Sequence, residues 1–281
     1  MSDTAAGPHI HFETRGDAAA IPLVLIEGSG AQLIGWRDGF VDRLIARGFR
    51  VIRLDNRDVG LSDKLAGEDR LEACYTLADM ADDVFGVLDR LGLESAHIVG
   101  QSMGGAIAQT MALAQPGRVR SLGLFYTAPA FGAEFVTDEI REILLAGAPT
   151  LPVSRQEQVD ELVSRARLAA STNHPFDEAW ATQLAQMSLD RCDRTDGVTR
   201  QGAAMMQAGD WREALERLTM PVAIFHGRAD RLVKIEAGFE LGRRLKTSEL
   251  HIYPGMGHEI ALPLWDEFAD IIARTARRAA N

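Results

Sequence analysis

Along the chain, short runs of consecutive apolar residues alternate with longer stretches whose apolar positions recur every three or four residues. Pro22-Leu23-Val24-Leu25-Ile26 and Ala96-His97-Ile98-Val99 have the length and continuity of buried strands, and Arg50 to Leu54, Val119 to Tyr126, Pro221 to Phe225 and Glu249 to Tyr253 read as further strands. His9 to Thr14 alternates instead, which suits a first strand near a sheet edge. Between these runs lie helical patterns. Trp36 to Gly48 sets Trp36, Phe40, Leu44 and Ile45 on one face and ends in glycine. Thr76, with Asp79 three residues on, caps a helix carrying Leu77, Met80, Ala81, Val84, Leu88 and Leu91 at helical spacing, and Asp79, Asp82, Asp83 and Asp89 read as its solvated face. Further helices are expected over Ala106 to Leu113, Lys234 to Lys246 and around Trp265, Phe268 and Ile272. Strand and helix in repeated alternation predict an α/β fold with a doubly wound, mostly parallel sheet.

From about Ala130 to Ala208 the alternation stops, and several helical stretches follow one another without a convincing strand. We read 1–129 and 209–281 as one core and 130–208 as an inserted helical cap. Phe131, Phe135, Leu144, Leu145, Phe176, Trp180, Leu184, Met187, Met205 and Met206 supply the apolar side of the cap. Most of them are expected to pack it onto the core. A few, with Trp180 as the candidate, should face the apolar concavity that a cap over strand ends creates.

The chemistry centres on Gly100-Gln101-Ser102-Met103-Gly104-Gly105. Gly-x-Ser-x-Gly between a buried strand and a helix marks a nucleophile elbow, a strained turn that exposes the serine hydroxyl. Such a serine needs a base beside it, and the base needs an acceptor to fix its tautomer. Asp230 and His258 each sit in a loop just after a late strand, so a parallel sheet delivers both to the same edge as Ser102. Of the other histidines, His9, His11, His97 and His251 lie in strands, His226 should brace the Asp230 loop, and His174 sits in the cap. The Glu27-Gly28-Ser29-Gly30 loop follows a strand but lacks the Gly-Lys-Ser/Thr ending of a P-loop and the full Gly-x-Gly-x-x-Gly of a dinucleotide site.

Composition narrows the partners. Thirty Lys+Arg against forty Asp+Glu give a net charge of −10 over 281 residues, and no basic run stands out, so nucleic acid is an unsuitable partner. No stretch approaches the roughly 20 apolar residues of a membrane span, and the first residues lack a basic segment followed by an apolar one. A cytoplasmic protein acting on a small molecule is expected. Cys74 and Cys192 are far apart and fit neither a disulfide framework nor metal-ligand spacing. No metal and no organic cofactor is expected.

With the elbow, His226-Gly227-x-x-Asp230 and Gly257-His258, the chain resembles an α/β-hydrolase over essentially its whole length. Asp55-x-Arg57-Asp58-x-Gly60-x-Ser62 is similar to a turn common in that superfamily. Together with Gly28-Ser29-Gly30 and Gly35-Trp36, it resembles the aclacinomycin methylesterase branch and related bacterial esterases. The resemblance implies that Ser102 attacks an ester carbonyl, His258 shuttles the proton and Asp230 orients it. It also implies an oxyanion hole from the amide of Met103 and one from the first glycine loop, Ser29 or alternatively Gly30, with Gly28 and Gly30 bordering the substrate. Haloperoxidase-like perhydrolases and carbon–carbon bond hydrolases share this triad, and a non-catalytic receptor could use the same scaffold. Glu27 stands where many members have histidine. An ionised, unpaired carboxylate there would oppose a developing oxyanion, so we expect Glu27 to pair with Arg57, or with Arg37, and brace the loop.

Overall fold

A computed structural model of the chain describes residues 7–65, 74–138, 140, 154–193 and 197–279. Seven strands form one sheet: β1 (Phe12–Arg15), β2 (Ile21–Ile26), β3 (Phe49–Leu54), β4 (Ala96–Gln101), β5 (Val119–Phe125), β6 (Val222–Gly227) and β7 (Ser248–Tyr253). Their spatial order is β1-β3-β2-β4-β5-β6-β7, with β1 antiparallel to β3 at one edge and every other pairing parallel. The alternating segment thus supplies the antiparallel edge strand β1, and β7 forms the opposite edge.

Side chains that alternate along a strand point to opposite faces. Val24 and Ile26 of β2 pack into one core with helices α2 (Leu77–Arg90) and α3 (Met103–Ala114). Leu23 and Leu25 pack into the other with α1 (Asp38–Ala46) and α8 (Trp265–Arg278). Both faces of the sheet are therefore covered, which is why the inner strands read as unbroken apolar runs. On the second face Phe125 stacks on Phe225 with ring centroids 4.1 Å apart, and Phe268 meets Phe125 edge-on.

Thr76 and Asp79 form the expected reciprocal capping box at the start of α2. Two local expectations need correction. The segment from Trp36 is not one helix. A single 3-10 turn spans Leu33–Gly35, and α1 begins only at Asp38. Asp83 also leaves the solvated face expected for it, because its side chain is only 7% exposed and accepts two hydrogen bonds from Arg57.

Between β5 and β6 lie helices α4 (Arg155–Ala169), α5 (Glu178–Arg191) and α6 (Gly197–Met206). The only strand-like pairings there, among the described residues, are isolated bridges from Ala130 to Asp210 and from Val136 to Val233. Leu144 and Leu145 lie outside the described residues. Helix α7 (Ile235–Arg244) follows β6. Among the described residues, no helix is long and apolar enough to cross a membrane.

The approach of α3 to the sheet decides where Ser102 can sit. A methyl group on Gly104 would overlap the carbonyl oxygen of Ile26, and one on Gly100 would overlap the carbonyl oxygen of Gly104. Neither neighbour is a side chain that can rotate away. Gly104→Ala is therefore expected to destabilise the protein by roughly 1–3 kcal/mol or more, as other overpacked sites do. By contrast, Gly86→Ala within α2, where nothing lies within 4 Å of the added methyl, should stabilise by about 0.5–1 kcal/mol. Urea denaturation of the two variants checks the opposite signs.

Candidate active site

Ser102 joins β4 to α3 with φ 52° and ψ −120°, a left-handed conformation that costs a non-glycine residue of order 1–3 kcal/mol. The turn is held from outside: the Ser102 amide donates to the carbonyl of Phe125 on β5 at 3.0 Å. Gly28, at the end of β2, faces it so closely that a methyl there would stand 3.3 Å from the serine Cβ. Met103 is the first residue of α3, so its amide is free of the helical ladder.

The loops after β6 and β7 bring Asp230 and His258 together, with His258 Nδ1 2.8 Å from Asp230 Oδ2. The second carboxylate oxygen of Asp230 accepts the amides of Leu232 at 2.8 Å and Val233 at 2.9 Å. Burial alone would push this carboxyl up, but the charge and hydrogen bond of His258, the charge of His226 and the Val233 amide together hold it below the ordinary carboxylate range. His226, fully buried, places Nε2 3.1 Å from the carbonyl of Val233 and 3.7 Å from Asp230. It braces the loop as expected, and burial depresses its pKa. His97 shares a hydrogen bond with Ser121 at 2.7 Å, and His251 stacks on Phe225 near Glu249.

The first glycine loop is shaped by a residue that no motif or spacing singles out. Gln201, fully buried on α6, accepts the amide of Gly30 at 2.8 Å, lies 3.4 Å from the Ser29 hydroxyl, and donates to the carbonyl of Arg57 at 2.9 Å. The Gly30 amide is therefore engaged by Gln201, which points away from it as an oxyanion donor. The Ser29 amide, among the described residues, has no protein acceptor. Trp180, at the start of α5, lies under the guanidinium of Arg37 at 4.1 Å, and Arg37 pairs with Asp177 at 2.8 Å.

Two further arginines of the insertion are committed to the turn after β3. Arg191 reaches Asp55 at 2.5 Å, and Arg200 makes a two-pronged contact with Asp58 at 2.9 and 3.0 Å. Asp55 also accepts the amides of Leu33 and Leu61. No spacing rule connects positions this far apart in the chain.

Glu27 departs from expectation. Arg57 turns away to Asp83, at 2.6 and 2.9 Å, and Arg37 goes to Asp177. Glu27 does not face solvent either, being 1% exposed. Its Oε2 accepts from the Gly28 amide at 3.2 Å and from the side chain of Gln101, whose oxygen accepts from the Tyr126 hydroxyl. The Tyr126 ring lies against His258, with centroids 4.3 Å apart. Burial, aided by the nearby charge of Asp55 and outweighing these hydrogen bonds, pushes the Glu27 carboxyl up to about 8. The loop is thus rid of a negative charge at neutral pH by protonation rather than by pairing.

This has a consequence for stability. The unfolded chain loses the Glu27 proton near the usual carboxylate range, whereas the folded protein keeps it to about pH 8. Folding takes up that proton in between, so stability falls as pH rises across this window and levels off above it. Glu27→Gln should flatten that slope and raise the melting temperature more at pH 8 than at pH 5, with a gain on the order of a few kcal/mol at the higher pH. Thermal unfolding at the two pH values measures it. Parallel pH dependence in both proteins would show that Glu27 is ionised in place.

Comparison with known proteins agrees with this architecture. A family model for the α/β hydrolase fold matches residues 21–263. A 2-hydroxy-6-oxononadienedioate/2-hydroxy-6-oxononatrienedioate hydrolase of Paraburkholderia phymatum is 32% identical over 258 residues, covering 89% of this chain and 84% of that protein. A rhodomycin D methylesterase of Streptomyces peucetius is 29% identical over 287 residues, covering 95% and 94%. Among solved structures, a 2-hydroxy-6-oxo-6-phenylhexa-2,4-dienoate hydrolase from a Rhodococcus species superposes with a TM-score of 0.79 at 22% identity, covering 97% of this chain and 96% of that one. That last likeness speaks to the fold. With an elbow serine, a paired histidine and aspartate, and a family match over most of its length, the chain belongs to the α/β-hydrolase family and is a hydrolase.

Proposed function

We propose that the protein cleaves a carboxylic ester of a small to medium apolar molecule through an acyl-enzyme. The observation that carries this reading is the hydrogen bond between His258 and Asp230 at the same sheet edge as the strained Ser102. In the mechanism, Ser102 Oγ attacks the carbonyl carbon while His258 Nε2 takes its proton. Asp230, bound to Nδ1, fixes the tautomer and stabilises the imidazolium. The amides of Met103 and Ser29 receive the charge on the carbonyl oxygen. His258 then protonates the leaving alcohol, and a water activated by the same imidazole releases the acid and restores Ser102. No metal or organic cofactor takes part in these steps, and the partner is a small molecule, not nucleic acid or a membrane. In this reading helices α4 to α6 belong to a cap over the site, and Trp180, packed under Arg37, is its candidate substrate contact.

Support for the ester rather than another bond comes from the full-length likeness to a methylesterase and from the charge on the insertion. Arg191 and Arg200 are both spent on buried aspartates, so neither is free to hold an acidic substrate. The second reading, hydrolysis of a carbon–carbon bond in a vinylogous diketone, is supported by the 32% identity to a hydrolase named for a dienedioate. The triad serves either.

A panel of esters varied separately in acyl and alcohol size, run beside a 2-hydroxy-6-oxodienoate, separates the two. Turnover of apolar esters at least tenfold above the dienoate is expected, and the reverse order would overturn the ester reading. Ser102→Ala and His258→Ala should each cost about as much as the double variant, on the order of 10⁶ in turnover as in subtilisin, because the residues act as a unit. Near-normal turnover in His258→Ala would remove the assignment.

A further inference from the structure

The loop that carries His258 is held mainly by a segment of the insertion. As α4 ends, the chain runs through Ala169-Ala170-Ser171-Thr172-Asn173-His174 directly against Gly255-Met256-Gly257-His258-Glu259. The His258 amide donates to the carbonyl of Ala169 at 2.7 Å, and the Gly257 amide donates to Ser171 Oγ at 3.0 Å. In the other direction, the Thr172 amide donates to the Gly255 carbonyl at 2.8 Å, and the Ser171 amide to Glu259 Oε1 at 2.8 Å. His174 Nε2 stands 3.3 Å from the same oxygen. Four backbone amides are thus satisfied across a seam between segments about ninety residues apart in sequence.

Contact along the seam is close. A methyl on Gly257 would come 2.5 Å from the carbonyl oxygen of Ala170, and one on Gly255 would reach within 2.5 Å of the Asn173 Cγ. Ser171 is buried, so its hydroxyl is the fixed acceptor for an amide that would otherwise be left without one in a buried place. The imidazole is fixed from the core side by Asp230 and by the Tyr126 ring. The backbone that carries it is fixed from the insertion side.

We propose that Ala169–Thr172 is a positioning strap for the general base, with Ser171 as its key side chain, so that His258 is aligned only while this part of the insertion is docked on the core. The inference rests on the hydrolase reading above and extends it.

Three variants of the full chain test this: Ser171→Ala, which removes the acceptor; Ser171→Thr, which keeps a hydroxyl; and Gly257→Ala, which drives the two backbones apart. The readouts are kcat and KM on the best ester, the rate at which an organophosphonate labels Ser102, and the downfield proton resonance of the His258 Nδ1–H bonded to Asp230. For Ser171→Ala we expect kcat and the labelling rate to fall roughly 10- to 100-fold. KM should stay within about twofold, and the downfield proton should broaden or shift. Ser171→Thr should recover most of the loss, and Gly257→Ala should lose more. Unchanged kcat, labelling and resonance in Ser171→Ala would overturn the strap. So would a loss of kcat matched by a rise in KM with the resonance intact, because that pattern is loss of substrate contact. If wild-type Ser102 were itself inert to the phosphonate, the hydrolase reading would fall, while the resonance would still decide whether Ser171 orders the His258 loop.

Discussion

The turn at Ser102 is the constraint on which the rest of the structure depends. A serine at φ 52° is strained, and it persists only because its surroundings leave the backbone no alternative. The Phe125 carbonyl holds its amide, and α3 presses against β2 so closely that Gly104 meets the carbonyl of Ile26. That approach requires the small residues at the start of α3 and the parallel neighbours of β4 on either side. The same parallel order sends the loops after β2, β6 and β7 to one edge, where Gly28, Asp230 and His258 gather.

Around that edge the protein buries four carboxylates and treats them in three ways. Asp55 and Asp58 are paired with arginines of the insertion, so that docking the helices and neutralising the turn are one event. Removing one partner of such a pair typically costs about 3–5 kcal/mol, because the other charge stays buried. Asp230 stays ionised through His258 and the backbone amides beside it. Glu27 has no cation and holds its proton instead, which keeps the loop expected to receive an oxyanion free of negative charge at neutral pH. The contrast between Asp230 and Glu27 is one of partners, since both are deeply buried.

The strands and the doubly wound sheet were legible because burial on both faces leaves the inner strands as apolar runs separated by helical patterns. Position after a strand likewise singled out Asp230 and His258, which a parallel sheet must carry to one edge. Glu27 shows where such reading stops. Arg57 follows β3, the neighbour of β2, yet its guanidinium is taken by α2, where it bonds both oxygens of Asp83 and the carbonyl of Asp79. Gln201, Arg191 and Arg200 were illegible for another reason: their partners lie more than 130 residues away, and no motif or spacing links a lone glutamine or arginine to so distant a partner.

The proposed mechanism requires a covalent acyl intermediate on Ser102. Rapid-quench peptide mass spectrometry during turnover of an ester with a slowly hydrolysed acyl group tests it directly. The account predicts a transient mass increase equal to the acyl group on the peptide containing Ser102, formed at the rate of alcohol release and lost at the rate of acid release. Full turnover with no acylated peptide, or with the acyl group on another residue, would contradict it.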